Sequence, residues 1–118
     1  MYSYQATVTR IVDGDTLDLS VDLGFKVKIE IRVRLFGVDT PEVYGVKKES
    51  EEFQKGKAAS RFVQEWLDSR PKTLLINTIR DTKGKYGRYL ATIVDPDSKE
   101  SLNEALVKSG HAVEVLYD

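Results

Sequence analysis

The 118-residue sequence predicts an α+β domain built on a small closed barrel. Three observations carry that expectation: period-two alternation along the N-terminal third, a change to helical period between residues 50 and 69, and a return to short strand-like runs afterwards. Apolar residues make up 41% of the chain and charged residues 31%, the balance of a globular domain and not of a disordered one. The length suits one domain, 1–118, and no repeat or linker-like tract divides it.

Tyr4 to Val12 and Thr16 to Asp22 alternate apolar and polar residues around Asp13-Gly14-Asp15, which reads as strand, tight turn, strand. From Lys26 to Leu35 the alternation is continuous: Val27, Ile29, Ile31, Val33 and Leu35 share one face, while Lys28, Glu30, Arg32 and Arg34 share the other. Leu23-Gly24-Phe25 supplies the turn before that strand, and Arg34 points away from the core. Between Ser50 and Ser69, Ala59, Phe62, Val63, Trp66 and Leu67 form one apolar helical stripe, which Arg70-Pro71 ends. Thr73 to Ile79 and Tyr89 to Val94 read as two more strands. Ser101-Leu102-Asn103-Glu104 is a capping box that opens a short helix, closed by Gly110, and Ala112 to Leu116 reads as a last strand-like tail.

Zero cysteines exclude disulfide frameworks, thiolate zinc sites and cysteine nucleophiles, and a single histidine, His111, excludes histidine metal cages. The net charge of -1 and the pI near 5.9 lack the bulk positive charge of a typical nucleic-acid binder. Charge is nevertheless polarised along the chain. Residues 13 to 22 hold Asp13, Asp15, Asp18 and Asp22 without a base, whereas residues 80 to 88 hold Arg80, Lys83, Lys85 and Arg88 against Asp81.

Three segments offer chemistry. Asp13-Gly14-Asp15-Thr16 is a hairpin turn in its own right, and it also sets the Asp15 carboxylate at the mouth of a strand, where it can meet a hard divalent cation. Asp39-Thr40-Pro41-Glu42 reads either as a helix-entry turn or as a second cluster of oxygen donors, with Asp39 and the Thr40 carbonyl as ligands and Glu42 as proton acceptor for a water. Lys85-Tyr86-Gly87-Arg88 reads either as a cationic hairpin loop or as an arginine fork for a phosphodiester, with Tyr86 and Lys85 as donors beside it. Arg34, five residues before Asp39, is its counterpart. Lys47, Lys48, Lys55 and Lys57 read as a solvated face beside Glu49, Glu51 and Glu52, Trp66 as core, and His111 as packing or surface.

Together these segments, with Arg34-Leu35-Phe36-Gly37-Val38 leading into Asp39 and with Leu102-Asn103-Glu104-Ala105-Leu106-Val107, resemble the staphylococcal nuclease (thermonuclease) family from about Ala6 to Val115. The resemblance implies an OB-fold, a five-stranded β-barrel with two attached helices; the family's third, C-terminal helix has no counterpart in the 118 residues. It implies one Ca²⁺ ion held by Asp15, Asp39 and the Thr40 carbonyl, phosphate clamps at Arg34 and Arg88, a general base at Glu42, and terminal-phosphate contacts from Lys85 and Tyr86. It further implies hydrolysis of DNA and RNA at the P–O5′ bond, leaving 3′-phosphates. Where the family has two base-stacking tyrosines, this chain offers Tyr117.

The expected protein is a calcium-dependent nuclease, a monomer without membrane association or an obligate protein partner. The alternative is a non-catalytic OB-fold module that binds nucleic acid or protein. No signal peptide is evident, so the chain reads as cytoplasmic as given, or secreted if it is a trimmed mature form. The segment from Thr16 to Leu35 is longer than the family's, which predicts an extended hairpin.

Overall fold

Alternating side chains that bury one face and solvate the other need only short turns to pair with their neighbours, and the first 35 residues do so. In the computed structural model, which describes residues 2–80 and 89–115, β1 (Tyr2–Asp13), β2 (Thr16–Asp22) and β3 (Lys28–Leu35) form an antiparallel meander. There follow β4 (Val38–Asp39), α1 (Glu51–Asp68), β5 (Leu74–Arg80), β6 (Tyr89–Val94), α2 (Leu102–Lys108) and β7 (Val113–Glu114). Five strands close a barrel in the order β1-β2-β3-β6-β5, and β4 pairs with β7 outside it. All barrel neighbours are antiparallel except β3 and β6, which run parallel through Val33–Leu35 and Tyr89–Ala91. The expected five-stranded OB-type barrel with two helices is the observed architecture.

The inward faces match the alternation. Leu17, Leu19, Val21, Val33, Leu35, Ile76 and Ile93 are buried inside the barrel, and α1 buries Ala59, Val63 and Trp66 of the expected stripe. Ser50 caps α1 by accepting the Phe53 N–H at 3.1 Å, and Ser101 caps α2 by accepting that of Glu104 at 3.0 Å. Gly110 closes α2 with φ +82°, the left-handed conformation that favours glycine. Lys47, Lys48, Lys55 and Lys57 are exposed, and His111 packs its ring 5.0 Å from that of Phe62, as expected for both groups.

Two local expectations change. The third strand starts at Lys28 and not at Lys26, because Phe25 and Lys26 adopt φ of +53° and +65°, which a strand cannot contain. The turn therefore runs on to Val27, whose carbonyl accepts from the Leu23 N–H at 2.9 Å. The turn expected at Asp39 begins instead as strand: Val38 and Asp39 pair with Glu114 and Val113, a ladder too short to leave any periodicity in the sequence.

Asn103 fastens these parts together. Its buried amide donates to the carbonyls of Phe36 at 2.8 Å and Ala91 at 3.1 Å, and its oxygen accepts the Ile93 N–H at 3.2 Å. One side chain on α2 thus satisfies backbone groups of β6 and of the β3–β4 connection. Asn103→Ala strands those buried groups, so it should lower stability by about 2–4 kcal/mol, the cost of more than one unmet buried hydrogen bond. Urea denaturation measures this, and a variant within about 0.5 kcal/mol of the native chain, the range of an ordinary surface change, would remove Asn103 from this role.

Candidate metal and phosphate site

The β1–β2 connection is a two-residue turn, Gly14-Asp15, closed by the Asp13–Thr16 pair. The Asp15 N–H donates to Asp13 Oδ1 at 3.1 Å, which folds the turn over its own side chain. Gly14 is required by close approach: a Cβ there would lie 2.9 Å from the Ala59 Cβ on α1 and 3.0 Å from the Thr40 side chain. The turn therefore rests against α1 and against the segment that follows β4.

Asp15 is buried, 7% exposed, and each of its carboxylate oxygens accepts a hydrogen bond. Oδ2 accepts the Thr40 N–H at 3.2 Å and Oδ1 accepts the Thr16 hydroxyl at 3.1 Å. Burial alone would push this carboxyl up. Its hydrogen bond with Asp13, the Thr40 N–H and the Arg34 charge together hold it below the usual carboxylate range. Asp13 bears the opposite consequence: burial, then the hydrogen bond and the charge of Asp15, push it up to about 6. A proton taken up by the pair thus resides on Asp13.

Arg34 occupies the outward parity expected for it, with its side chain 26% exposed. Its Nη2 lies 3.2 Å from Asp39 Oδ1 and 3.7 Å from Asp15 Oδ2, so two carboxylates 24 residues apart in sequence meet at one nitrogen. Arg32, two residues earlier on the same face, is committed elsewhere, to Asp18 at 2.7 Å and 3.2 Å. Arg34 Nε and Thr40 Oγ1 are buried without hydrogen-bond partners among the described residues. Two carboxylates, one guanidinium and an unpartnered hydroxyl leave negative charge and open valence at this point. The all-oxygen donors suit a hard divalent cation such as Ca²⁺ or Mg²⁺. Among the described residues no three His, Asp or Glu side chains converge closely enough to hold a metal ion, so any such ion would complete its shell from carbonyls, water or a bound phosphate.

Asp39 and Thr40 open into a groove of about 580 Å³, lined also by Glu42, by Glu51 and Glu52 of α1, and by His111. Glu42 is exposed, and its N–H is 3.5 Å from Glu52 Oε1. A second close approach positions this wall. On α1, a Cβ at Gly56 would lie 2.7 Å from the Pro41 carbonyl and 2.9 Å from that of Glu42. The sequence offers no sign of this contact, since a glycine inside a helical stripe reads only as a weak helix former. The structure thus brings Asp15, Arg34, Asp39 and Thr40 into contact and sets Glu42 in the adjoining groove. Lys85, Tyr86, Arg88 and Tyr117 lie outside the described residues.

Comparison with known proteins gives consistent matches. The family model "Staphylococcal nuclease homologue" matches residues 32–118. The chain is 40% identical over 105 residues to a thermonuclease of Staphylococcus intermedius, covering 89% of this chain and 56% of that protein. It is 32% identical over 112 residues to Endonuclease YhcR of Bacillus subtilis, covering 92% of this chain and 9% of that protein. It is also 32% identical over 125 residues to an uncharacterized protein, MJ1439, of Methanocaldococcus jannaschii, covering 92% of this chain and 58% of that protein. The chain therefore spans little more than half of two of these relatives and a small part of the third.

The Gly56 contact is testable. Gly56→Ala gains about 1 kcal/mol of helix propensity yet forces the Pro41–Glu42 backbone away, so it should destabilise by about 1–3 kcal/mol net. Lys57→Ala, its exposed neighbour, should stay within about 0.5 kcal/mol of the native chain. Thermal or urea unfolding of both distinguishes them, and a Gly56→Ala variant as stable as the native chain would contradict the packing.

Proposed function

Because this chain belongs to the staphylococcal nuclease homologue family, we propose that it is a Ca²⁺-dependent nuclease that hydrolyses phosphodiester bonds of DNA and RNA. The observation that carries the reading is the meeting of Asp15 and Asp39 at the Arg34 guanidinium, on the rim of the groove that contains Glu42. That groove has four carboxylates, Asp39, Glu42, Glu51 and Glu52, against Lys55. Such a surface repels a polyanion until a cation offsets it, which favours a reaction gated by a divalent ion.

Asp15, Asp39 and the Thr40 carbonyl would hold one Ca²⁺ ion, which when bound supplies Lewis-acid polarisation of a non-bridging phosphate oxygen. Arg34 binds the phosphodiester through its planar fork and offsets charge gathering on phosphorus. Arg88 supplies the second guanidinium, with Lys85 and Tyr86 on a terminal phosphate and Tyr117 against a base. Glu42 orients the attacking water and accepts its proton. The water oxygen bonds to phosphorus, the P–O5′ bond breaks with its electron pair left on O5′, which takes a proton from solvent, and the products are a 3′-phosphate and a 5′-hydroxyl.

Incubation of plasmid, single-stranded DNA and RNA with Ca²⁺ or with excess chelator tests the reading. Degradation is expected only with Ca²⁺; tight binding without cleavage would assign a non-catalytic module instead. Arg34→Ala, Arg88→Ala and Glu42→Ala should each lower turnover by roughly 10²- to 10³-fold, the effect of removing one transition-state partner. Retained turnover in any of them would withdraw its role. Independently of activity, saturating Ca²⁺ should raise the melting temperature by several degrees, since ligand at about 100 times its Kd adds about 2.7 kcal/mol. Asp15→Asn and Asp39→Asn should abolish that shift.

A further inference from the structure

The β2–β3 hairpin runs from the candidate site to a turn at its far extremity. At its base, Thr16 pairs with Arg34 beside the carboxylates; six register steps later Asp22 pairs with Lys28, and the turn follows. At about 3.4 Å per residue the apex lies roughly 20–25 Å from Arg34, consistent with the 47 Å long dimension of the molecule. The apex does not have the composition of an ordinary turn. Gly24, Phe25 and Lys26 take φ of +81°, +53° and +65° in succession, a conformation normally left to glycine, asparagine or aspartate. The chain instead spends it on an aromatic ring that is 100% exposed. Leu23, Val27 and Ile29 beside it are 40%, 49% and 40% exposed. The apex holds Lys26 and Lys28 against Asp22, whose carboxylate accepts the Gly24 N–H at 2.8 Å, in a chain whose net charge is -1. Backbone strain that displays a side chain to solvent is characteristic of a recognition element.

We infer that the hairpin apex is a second nucleic-acid contact, in which Phe25 stacks on a base and Lys26 and Lys28 meet flanking phosphates of the strand engaged at the Arg34 site. A fully exposed aromatic ring followed by two lysines on the same turn is complementary to a base and its adjoining phosphates. The inference takes its ligand from the proposed nuclease function and adds a length requirement. To reach both ends of the hairpin, a stacked strand at about 3.4 Å per nucleotide must be about seven nucleotides long. The protein should therefore prefer oligonucleotides of that length or more, a preference set at the apex and not at the carboxylates.

Fluorescence anisotropy with labelled 16-nucleotide and 4-nucleotide single strands of nuclease-resistant phosphorothioate linkage, in saturating Ca²⁺ so that the Arg34 end is engaged, tests the contact. In Phe25→Ala the ratio of the two affinities should fall by roughly 5- to 150-fold, the effect of losing one stacked base, and Phe25→Trp should restore it and show its indole fluorescence quenched by the 16-mer. Lys26→Ala with Lys28→Ala should flatten the salt dependence by about 1.4 in log–log slope. An unchanged ratio in Phe25→Ala would overturn the inference. So would Phe25-dependent binding to vesicles of equal phosphatidylglycerol and phosphatidylcholine in place of the 16-mer, which would assign the apex to a membrane surface. A failed nuclease reading is recognisable separately, as absence of Ca²⁺-dependent cleavage by the native chain.

Discussion

The hydrogen bond from the Thr40 N–H to the buried Asp15 carboxylate holds the candidate site in shape. It joins a turn at the mouth of the barrel to a connecting segment 25 residues later, and it satisfies a donor that would otherwise be buried without a partner. The carboxylate tolerates burial because Thr16 and Arg34 complete its surroundings. Gly14 and Gly56 press on the same segment from two sides, so Thr40, Pro41 and Glu42 are gripped between the turn and α1. Rigid packing of this kind lets an exposed residue such as Glu42 hold a defined position although its side chain makes no hydrogen bond among the described residues.

Charge is managed by separation. The near-neutral total conceals an acidic groove next to a shared guanidinium and, at the far end of the same two strands, a hairpin apex where Lys26 and Lys28 outnumber Asp22. Neither pole would be visible in a sum over the chain. Burial and proximity also divide labour between two neighbouring aspartates: Asp15 keeps its charge, and Asp13 is the one that gives way on acidification.

Much of the barrel was legible in the sequence because strand alternation and the Ala59–Leu67 stripe are local patterns with fixed periods. Strand parity also aimed Arg34 correctly, five residues before Asp39, and the capping box at Ser101 announced the second helix. What escaped was non-local. The β4–β7 ladder contains too few residues for a pattern. The roles of Gly14 and Gly56 depend on what folds against them, and Asn103 reads as part of a capping box although its amide reaches Phe36 and Ala91 across the core. The left-handed Phe25 and Lys26 ran against their own residue types, which is why the turn extends further than its sequence suggests.

The parallel junction of β3 with β6 has a kinetic implication. It spans only Val33–Leu35 and Tyr89–Ala91, and more than fifty residues separate its two sides in the chain. Contacts so distant in sequence incur loop-closure entropy before they yield any stabilisation, so the ring of strands closes late in folding. Arg34 lies inside that junction, paired with Leu90. The guanidinium that joins both carboxylates is positioned first by its local pairing with Thr16 in the β2–β3 hairpin, and closure of the barrel then fixes the strand that carries it.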